Sequence, residues 1–278
     1  MNIWLTAAFV TLFSYFVLKK RKTIDWKTYK GKWAFVTGCT SGIGREFALQ
    51  LADKGMNLYL VARNKEELVA LSEIIKSKGV QVKVLVVDLS VDFSFQVQDE
   101  ISVLINNAGM VNEYPQFFTE VSKQITDKIM AVNMNSVIKI THQLLQNNLK
   151  EGLILNVGSF CAECPTSLLS VYSGTKAFLK VWSEALHFEL KPKIHVELLN
   201  TMFVSTKMSK RKESYFVPSP KTYVRYALDR VGNSYFCTPA SSHWYMNAFF
   251  NFIPFQFSGK LIFDSMKATR SKALSRLK

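Results

Sequence analysis

The sequence predicts an α/β fold in which helices cover both faces of a doubly wound parallel sheet. Short, continuously apolar runs alternate along the chain with longer helical patterns, as strand–helix–strand units require. Because both faces of such strands are covered, their side chains can be apolar at every position. A glycine-rich turn follows the first apolar run and precedes the first helical pattern. We therefore expect a single domain built on one parallel sheet.

The predicted elements follow one another in a regular order. The strands are expected at 33–37, 57–62, 82–88, 103–106, 153–159 and 194–200. The helices are expected at 45–54, 66–78, 119–149 and 170–190. Residues 88–103 are short for a strand connection, because a crossover helix there has only about three turns available.

The first turn reads T-G-C-T-S-G-I-G over residues 37–44. Glycines in such a turn let the backbone approach a pyrophosphate, and the N-terminus of the following helix offers N–H donors and a positive dipole. Because the turn lies between the first strand and the first helix, it predicts dinucleotide binding. The candidate contacts are Gly38, Thr40, Ser41, Gly42, Ile43 and Gly44.

The end of the second strand indicates which dinucleotide is bound. Sites for NAD place an acidic residue there to bind the ribose 2′-hydroxyl. Residues 60–64 read L-V-A-R-N, with no carboxylate. Arg63 suits a 2′-phosphate as a charged, forked donor, so the sequence favours NADPH/NADP+. The alternative is that Arg63 is simply solvated.

The spacing T-G-x-x-x-G-x-G resembles that of the short-chain dehydrogenase/reductase family, whose fold is Rossmann-like. Further family motifs are N-N-A-G at 106–109, Ser159 at the end of the fifth strand, and the Y-x-x-x-K pair of Tyr172 and Lys176. Asn133 falls where the family has its catalytic Asn. The resemblance implies an oxidoreductase that uses Asn133, Ser159, Tyr172 and Lys176 as its catalytic residues.

The chemistry explains this spacing. Tyr172 and Lys176 are four residues apart and share one face of a helix. A free Tyr has a pKa of about 10, and a neighbouring ammonium favours the phenolate and lowers that pKa. The resemblance implies that Tyr172 gives its proton to a substrate carbonyl oxygen as hydride arrives from the nicotinamide. Ser159 would hydrogen-bond that oxygen. Lys176 would hold the nicotinamide ribose, and Asn133 would support a water chain to Lys176.

The family pattern assigns four more positions around the cofactor. It places Asn107 at the end of the fourth strand next to the cofactor, and Asp88 near the adenine. Val204 and Thr206 would lie beside the nicotinamide amide. Each of these residues also has a purely structural explanation when it is taken alone.

The formal net charge of +14 is unevenly distributed. Residues 19–32 hold seven basic and one acidic side chain, and residues 207–278 hold 13 basic and 3 acidic ones. Residues 33–206 hold 15 basic and 17 acidic side chains. The basic excess therefore lies on the flanks of the body. Because no zinc-finger or RNA-binding motif accompanies it, we expect no nucleic acid partner.

The N-terminus predicts a membrane anchor. Residues 1–18 contain no charged side chain, and as a helix they would span about 27 Å, close to the hydrocarbon core of a bilayer. The basic linker at 19–32 follows at once, which predicts a single-pass transmembrane helix with the catalytic domain, 33–206, in the cytosol. The alternative is an amphipathic or buried N-terminal helix.

The C-terminal part, 207–278, is expected to supply a substrate lid and a second membrane-associated segment. Seven of the fourteen residues in 244–257 are aromatic, and Pro254 would break a long helix. This composition favours an interfacial segment, with the basic residues of 260–278 meeting lipid headgroups. The alternative is a buried cap over the core.

A closer resemblance is to the membrane-bound very-long-chain 3-oxoacyl-CoA reductases, which group with 17-beta-hydroxysteroid dehydrogenases of types 3 and 12. It rests on the N-terminal anchor, on residues 152–159, 171–178 and 204–208, and on 219–232, which looks like that group's lid helix. One departure is Thr201, where the group usually has Pro, and it predicts a looser loop over the nicotinamide.

This resemblance implies NADPH-dependent reduction of the 3-oxo group of long-chain or very-long-chain 3-oxoacyl-CoA in fatty-acid elongation, at the endoplasmic reticulum membrane. Basic residues at the mouth of the site would meet either CoA or lipid headgroups; they are Lys207, Lys210, Arg211 and Lys212. The alternatives are a 17-beta-hydroxysteroid or 3-dehydrosphinganine reductase, or a non-catalytic membrane scaffold. A homodimer through the helices of 119–149 and 170–190, and partners in an elongation complex, stay open.

The four cysteines are too few for a disulfide scaffold. Cys161 and Cys164 form a C-x-x-C pair, but no second pair or nearby His completes a zinc set. We expect ordinary thiols and no metal site.

Overall fold

A parallel sheet runs through the centre of the molecule, of which the computed structural model describes residues 23–276. Its strands are β1 (Trp33–Thr37), β2 (Asn57–Ala62), β3 (Val82–Val86), β4 (Ile101–Asn106), β5 (Gly152–Val157), β6 (Ile194–Leu199) and β7 (Phe236–Cys237). Their order is β3-β2-β1-β4-β5-β6-β7, and every pair is parallel. Because the direction of winding reverses between β1 and β4, a crevice opens at the carboxyl ends of these two strands.

The helices lie on both faces of this sheet, as predicted. They are α1 (Gly42–Asp53), α2 (Lys65–Lys76), α3 (Lys123–Met130), α4 (Ser136–Asn147), α5 (Ser170–Leu190), α6 (Pro220–Arg230), α7 (Ser241–Phe252) and α8 (Phe255–Leu274). On one face α1, α2 and α6 share a core with residues such as Val36 and Leu60. On the other face α4 packs against residues such as Phe35 and Ile154. Alternate strand residues therefore serve opposite cores, which explains the unbroken apolar runs.

The connection between β3 and β4 contains no helix, although residues 88–103 left room for a short one. Side chains of α4 and of the residue after it take over the hydrogen bonds that a helix would have made internally. The amide of Gln143 donates to the carbonyl of Phe95 at 2.8 Å, and that of Asn148 donates to the carbonyls of Val97 and Asp99 at 3.0 Å. The Phe95 ring packs 5.6 Å from the Phe35 ring, between centroids. The connection is thus anchored as an extended segment.

The sheet continues beyond residue 206, where the predicted catalytic domain ended. Strand β7 pairs with β6, with Leu198 opposite Phe236. Helix α6, which the sequence compared with a lid helix, packs its Tyr223 and Val224 into the core beside α1. This helix therefore belongs to the framework, because a lid would leave one face toward a cleft.

The described part of the predicted basic linker, residues 23–32, lies on the body. The indole N–H of Trp26 donates to the carbonyl of Leu228 at 2.9 Å, and Ile24 packs against the same core. The basic side chains of this segment do not prevent the contact, because their charged ends can reach solvent while their apolar stems lie along the surface.

The predicted membrane anchor, residues 1–18, lies outside the described residues. Within residues 23–276 no helix combines the length and apolarity needed to cross a bilayer. The aromatic segment of 244–257 forms the end of α7 and the start of α8, and the two helices are separated at Ile253 and Pro254, as the proline predicted.

Candidate active site

The turn between β1 and α1 has the backbone that its glycines predicted. Gly38 and Gly42 have φ values of +62° and +55°, a region that favours glycine. A Cβ on Gly44 would collide with the carbonyl of Gly38 and the side-chain amide of Asn107. Ser41, the residue before α1, makes no side-chain hydrogen bond to the first turn of the helix. The first N–H groups of α1 are therefore open toward the crevice and suit an anionic group.

The side chain of Asn107 supports the glycine turn through hydrogen bonds. Its amide donates to the carbonyls of Thr37 and Gly38 at 3.0 and 3.1 Å. The Thr37 hydroxyl in turn accepts from the backbone N–H groups of Asn107 and Ala108, both at 3.0 Å. The residue predicted as a cofactor contact thus holds the glycine turn in place. Three hydrogen bonds join the N-N-A-G segment to Thr37 of β1, and a fourth joins it to Gly38 of the turn.

A buried polar network beneath the site did not figure among the predicted site residues. The amide of Asn106 donates to Thr141 at 3.0 Å and to Asn156 at 2.8 Å, and Asn156 donates to Ser183 at 2.8 Å. These side chains join β4, β5, α4 and α5. The available signal was an Asn at or near the end of two neighbouring apolar strands, because such a residue needs a partner when it is buried.

Asn133 lies in a short π-helical turn, Ala131–Asn135, between α3 and α4. Its side-chain oxygen accepts from the backbone N–H of Met110 at 2.7 Å, and its amide donates to the carbonyl of Met110 at 2.9 Å and to Thr175 at 3.0 Å. A Cβ added to Gly109 would lie 3.7 Å from the Asn133 oxygen and 3.9 Å from Lys176 Nζ. Asn133 and Lys176 therefore flank the same glycine. Such π turns are often found at functional sites.

Ser159, Tyr172 and Lys176 meet at the carboxyl end of β5, as predicted. The hydroxyl of Ser159 lies near enough to that of Tyr172 to lower its pKa. Lys176 Nζ lies 5.8 Å from the centre of the Tyr172 ring and donates to the carbonyl of Val157 at 2.8 Å. This bond uses one of three ammonium donors, so the others are available to a ligand.

The pKa values of this group differ from the simple expectation. Burial raises the pKa of the Tyr172 hydroxyl, the neighbouring Cys161 raises it further, and the hydrogen bond with Ser159 opposes both. Burial lowers the pKa of Lys176 to about 8. The expected lowering of the Tyr172 pKa by Lys176 is absent, because loss of hydration outweighs an ammonium that is bound to Val157.

Cys161 is the residue near the site that the sequence treated as an ordinary loop thiol. It follows Ser159 by two residues, its N–H donates to the Ser159 hydroxyl at 3.2 Å, and its sulfur accepts from Thr166 at 3.2 Å. Its charge, when it ionises, raises the pKa of both Tyr172 and Lys176. Cys161 and Cys164 are thiols, and residues 23–276 hold no cluster that could bind a metal ion.

Arg63 and Asp88 lie at the other end of the crevice, after β2 and β3. Both side chains are exposed. Hydrogen bonds from Ser90 lower the pKa of Asp88, and the charges of Arg63 and Lys128 lower it further. Two cationic groups and one carboxylate thus surround the position where the adenosine half of a dinucleotide would lie. Lys128 was not among the predicted cofactor-binding residues.

The loop after β6 approaches the glycine turn. A Cβ on Gly42 would lie 3.1 Å from the Thr206 methyl group, and Val204 is buried. Thr201 hydrogen-bonds Tyr223 of α6 with 2.6 Å between the hydroxyl oxygens, and it donates to the carbonyl of Leu199 at 3.1 Å. The predicted looseness at Thr201 is thus offset by a buried tether to α6.

Helices α7 and α8 cover the loops that surround the site. The Phe250 ring of α7 packs 5.3 Å from Phe160, and the Phe263 ring of α8 packs 6.5 Å from Phe117, between centroids. The Arg270 guanidinium of α8 binds both carboxylate oxygens of Glu120 at 2.9 Å. A cavity of about 630 Å³ lies between α8 and the start of α5; its lining includes Cys161, Thr166, Gly174, Ala177, Gly259 and Lys260.

The glycine turn after β1, the crevice beside β4 and the polar cluster at β5 define a Rossmann-like protein of the dinucleotide-binding class. The sequence profile described as short chain dehydrogenase matches residues 32–215. This range is more than half of the chain, and the protein belongs to that family.

Individual relatives extend this result. The very-long-chain 3-oxoacyl-CoA reductase of Mycosarcoma maydis is 36% identical over 269 residues, which cover 89% of this chain and 77% of that protein. The protein of the same name from Laccaria bicolor is 41% identical over 216 residues, and the match covers 73% of this chain and 64% of that protein. A short-chain dehydrogenase from Sphingobium yanoikuyae, solved in complex with NADPH, is 25% identical with a TM-score of 0.65 and covers 80% of this chain and 96% of that one.

Proposed function

We propose that this protein reduces the 3-oxo group of long-chain and very-long-chain 3-oxoacyl-CoA to a 3-hydroxyl group with NADPH, the second step of a fatty-acid elongation cycle. The observation that carries the proposal is the cluster of Ser159, Tyr172 and Lys176 at the end of β5, with Asn133 across Gly109. The names of the relatives above support the choice of substrate.

The residues around the crevice fit a nicotinamide dinucleotide. The side-chain-free surface at Gly38 and Gly42 and the uncapped start of α1 suit a pyrophosphate. Arg63, with no carboxylate at the end of β2, suits the 2′-phosphate of NADPH. Two donors of the Lys176 ammonium are free for the ribose hydroxyls. Val204 and Thr206 are proposed to lie beside the nicotinamide.

When bound, NADPH would supply hydride to the carbonyl carbon. Tyr172 donates its hydroxyl proton to the carbonyl oxygen, so that a C–H and an O–H bond replace the π bond and the C–O single bond remains. The raised pKa of Tyr172 keeps the hydroxyl protonated before the reaction, which is the form that a proton donor needs. Ser159 donates a hydrogen bond to the same oxygen and stabilises the charge that develops there.

Lys176 and Asn133 complete the path of the proton. After the transfer, the Lys176 ammonium stabilises the phenolate of Tyr172, and the phenolate regains a proton from solvent. We assign Asn133 to the water chain that delivers it, since the Asn133 oxygen and Lys176 Nζ both lie within 4 Å of a Cβ position on Gly109. Asn133 is held on both sides by the backbone of Met110, so its orientation is fixed.

The substrate assignment draws on charge and position. A basic group on the loop after Thr206 suits the anionic CoA, and all four of its side chains are exposed: Lys207, Lys210, Arg211 and Lys212. The acyl chain would lie under α7 and α8, which close over the site through Phe250 and Phe263.

We place the enzyme at the endoplasmic reticulum membrane, anchored by residues 1–18, with the body in the cytosol. A homodimer and contacts with other elongation enzymes belong to the same proposal.

An assay of the full chain in detergent tests the proposal. NADPH and NADH are each offered with a panel of 3-oxoacyl-CoAs of increasing length, a 17-ketosteroid and 3-dehydrosphinganine. We expect NADPH oxidation with the long acyl-CoAs and none with Tyr172→Phe, the matched variant that loses only the hydroxyl. Turnover of the steroid or the sphingoid ketone alone would assign those substrates instead. A chain that turns over none of them while Tyr172→Phe still supports growth in cells would be a scaffold.

A further inference from the structure

Helix α7 exposes four of its five aromatic side chains to solvent and buries two polar residues, Ser242 and His243. Trp244, Tyr245, Phe249 and Phe252 are 55%, 60%, 58% and 91% exposed, and they form one stripe along the helix. His243 on the opposite side is fully buried. This pattern is the reverse of that expected for a helix that faces water, so the outer face of α7 requires a partner.

A second exposed aromatic segment lies beside α7, although it is distant in sequence. The imidazole of His243 hydrogen-bonds the carbonyl of Phe203 at 3.2 Å, and the backbone of Phe216 is near enough to influence the pKa of His243. The loop of residues 203–216 therefore lies against α7 at both of its ends. On this loop Tyr215 and Phe216 are 71% and 51% exposed. We call the surface formed by Tyr215, Phe216, Trp244, Tyr245, Phe249 and Phe252 the aromatic face.

The aromatic face is bordered by positive charge. Lys207, Lys210, Arg211 and Lys212 are exposed on the same loop, which carries Glu213 as its acidic residue. The Arg211 guanidinium stacks 3.8 Å above the Phe203 ring, so the cationic and aromatic groups are in contact. Trp and Tyr beside Lys and Arg are the residue types that occupy the headgroup region of a bilayer.

We propose that the aromatic face is a peripheral membrane-binding surface that inserts its rings into the headgroup region of an anionic bilayer. The basic residues of loop 203–216 bind the anionic headgroups, and the aromatic rings of α7 lie at the acyl boundary. A protein–protein interface depletes charged residues from its core and has a polar rim. Here four basic residues and one acidic residue, Glu213, border the rings, and this net positive charge matches an anionic lipid surface.

This surface lies close to the site. Loop 203–216 begins just after Thr201, and α7 packs on Phe160 next to Ser159. A bilayer bound here would hold an apolar substrate near the end of β5. The binding surface itself does not depend on the proposed reaction, and its test uses no substrate.

Trp244 provides the test. The full chain is reconstituted in vesicles of phosphatidylcholine with phosphatidylserine, in which the phosphatidylcholine carries bromine atoms that quench nearby indoles. Because the chain has five Trp, the Trp244 signal is taken as the difference between the unmodified chain and Trp244→Phe. The matched control is Trp182→Phe. The difference between the unmodified chain and this variant gives the signal of Trp182, a half-buried indole of α5.

We expect brominated lipid to reduce the Trp244 signal by on the order of half, with little effect on Trp182. Leaving out phosphatidylserine or raising the salt should weaken the effect, because the Debye length shortens as salt rises. A Trp244 signal that stays equally bright in brominated and plain vesicles would overturn the proposal. Shielding of Trp244 from aqueous iodide without quenching by lipid would instead assign the face to a second copy or to another part of this chain.

A paired substitution gives an independent readout. Phe249→Ser with Phe252→Ser removes two exposed rings, and Phe188→Ser removes a similarly exposed ring, 68% accessible, from α5. Amide hydrogen exchange is then measured on vesicles and in detergent. We expect vesicles to protect residues 203–216 and 241–252 in the unmodified chain and in Phe188→Ser, and to lose that protection in the paired variant. Equal protection in all three would contradict the proposal.

Discussion

Burial shifts the pKa values of Tyr172 and Lys176 in opposite directions. Removal of water disfavours the charged form of each group, so it raises the pKa of the phenol and lowers that of the ammonium. In the absence of substrate, the pair is therefore a protonated Tyr beside a Lys that loses its charge at a mildly basic pH. This state suits a reductase, which begins its reaction by giving a proton away.

Replacement of Tyr172 by Phe tests the proton donor. We expect kcat for an active 3-oxoacyl-CoA to fall by roughly 100- to 10,000-fold, the usual contribution of a general acid. Binding of NADPH, followed by its fluorescence, should change little, because the ring and Lys176 stay in place. A variant that keeps more than about a tenth of the parent kcat would show that another group supplies the proton.

The pKa of Lys176 predicts a basic limit for activity. Because kcat/KM reports groups of the free enzyme, it should fall as the pH rises through about 8, where Lys176 loses its proton. The measurement is a pH profile of kcat/KM at fixed ionic strength. Lys176→Arg keeps its charge over this range, so its residual activity should lack the basic limit. A basic limit that persists in Lys176→Arg would assign it elsewhere.

The Thr201–Tyr223 hydrogen bond predicts a coupling between the loop after β6 and α6. Tyr223→Phe should lower the free energy of unfolding by about 1 kcal/mol and weaken NADPH binding, since the loop loses its tether. In a Thr201→Val background the same substitution should have a smaller effect on both quantities. Denaturant unfolding and NADPH titration of the four proteins measure this cycle. Strict additivity would mean that the two hydroxyls act independently.

At the scale of elements, the short π turn and the C-terminal helices decide the shape of the site. The π turn aims Asn133 between Met110 and Thr175. Neither a π turn nor the fit of α8 over loop 113–120 follows from periodicity, because each depends on partners far along the chain. The limits of α5 follow from local pattern and match the predicted 170–190. The helix expected at 119–149 is instead divided into α3, the π turn and α4.

The ion pair of Arg270 and Glu120 predicts how α8 is held. Arg270→Ala should lower the free energy of unfolding by less than about 1 kcal/mol, because the pair is partly exposed. Hydrogen exchange in α8 should nevertheless become faster, and KM for a long acyl-CoA should rise more than kcat falls. Lys267→Ala, one turn away and exposed, is the matched control. Unchanged exchange in α8 would show that Phe263 and Met266 hold the helix without the ion pair.

At the scale of the whole molecule, two buried histidines link stability to pH. Burial lowers the pKa of His187 on α5, assisted by the charges of Lys191 and His195, and burial also lowers the pKa of His243 on α7. Both are neutral in the folded protein. The unfolded chain binds protons to them below about pH 6.5, so the folded state loses stability as the pH falls below that value.

Denaturant unfolding between pH 7.5 and 5 measures this effect. The free energy of unfolding should decline below about pH 6.5, and the decline should be smaller in His243→Asn. The control is His142→Asn, which replaces an exposed His. In this variant the free energy of unfolding should decline with falling pH as steeply as in the unmodified chain. An equal slope in all three proteins would place the pH dependence in other groups.

The sequence by itself determined six of the seven strands, the helices between them and the three residues that meet at the end of β5. Apolar runs and glycine turns are local signals, and parallel strands bring their carboxyl ends together whatever lies between them. Residue spacing was therefore enough to join Ser159, Tyr172 and Lys176. The tertiary structure alone decided the helix-free connection before β4, the support of the glycine turn by Asn107 and the tether from Thr201 to Tyr223. It also brought loop 203–216 against α7. These features depend on contacts between distant segments and on the balance of burial against charge, and neither is encoded in a local pattern.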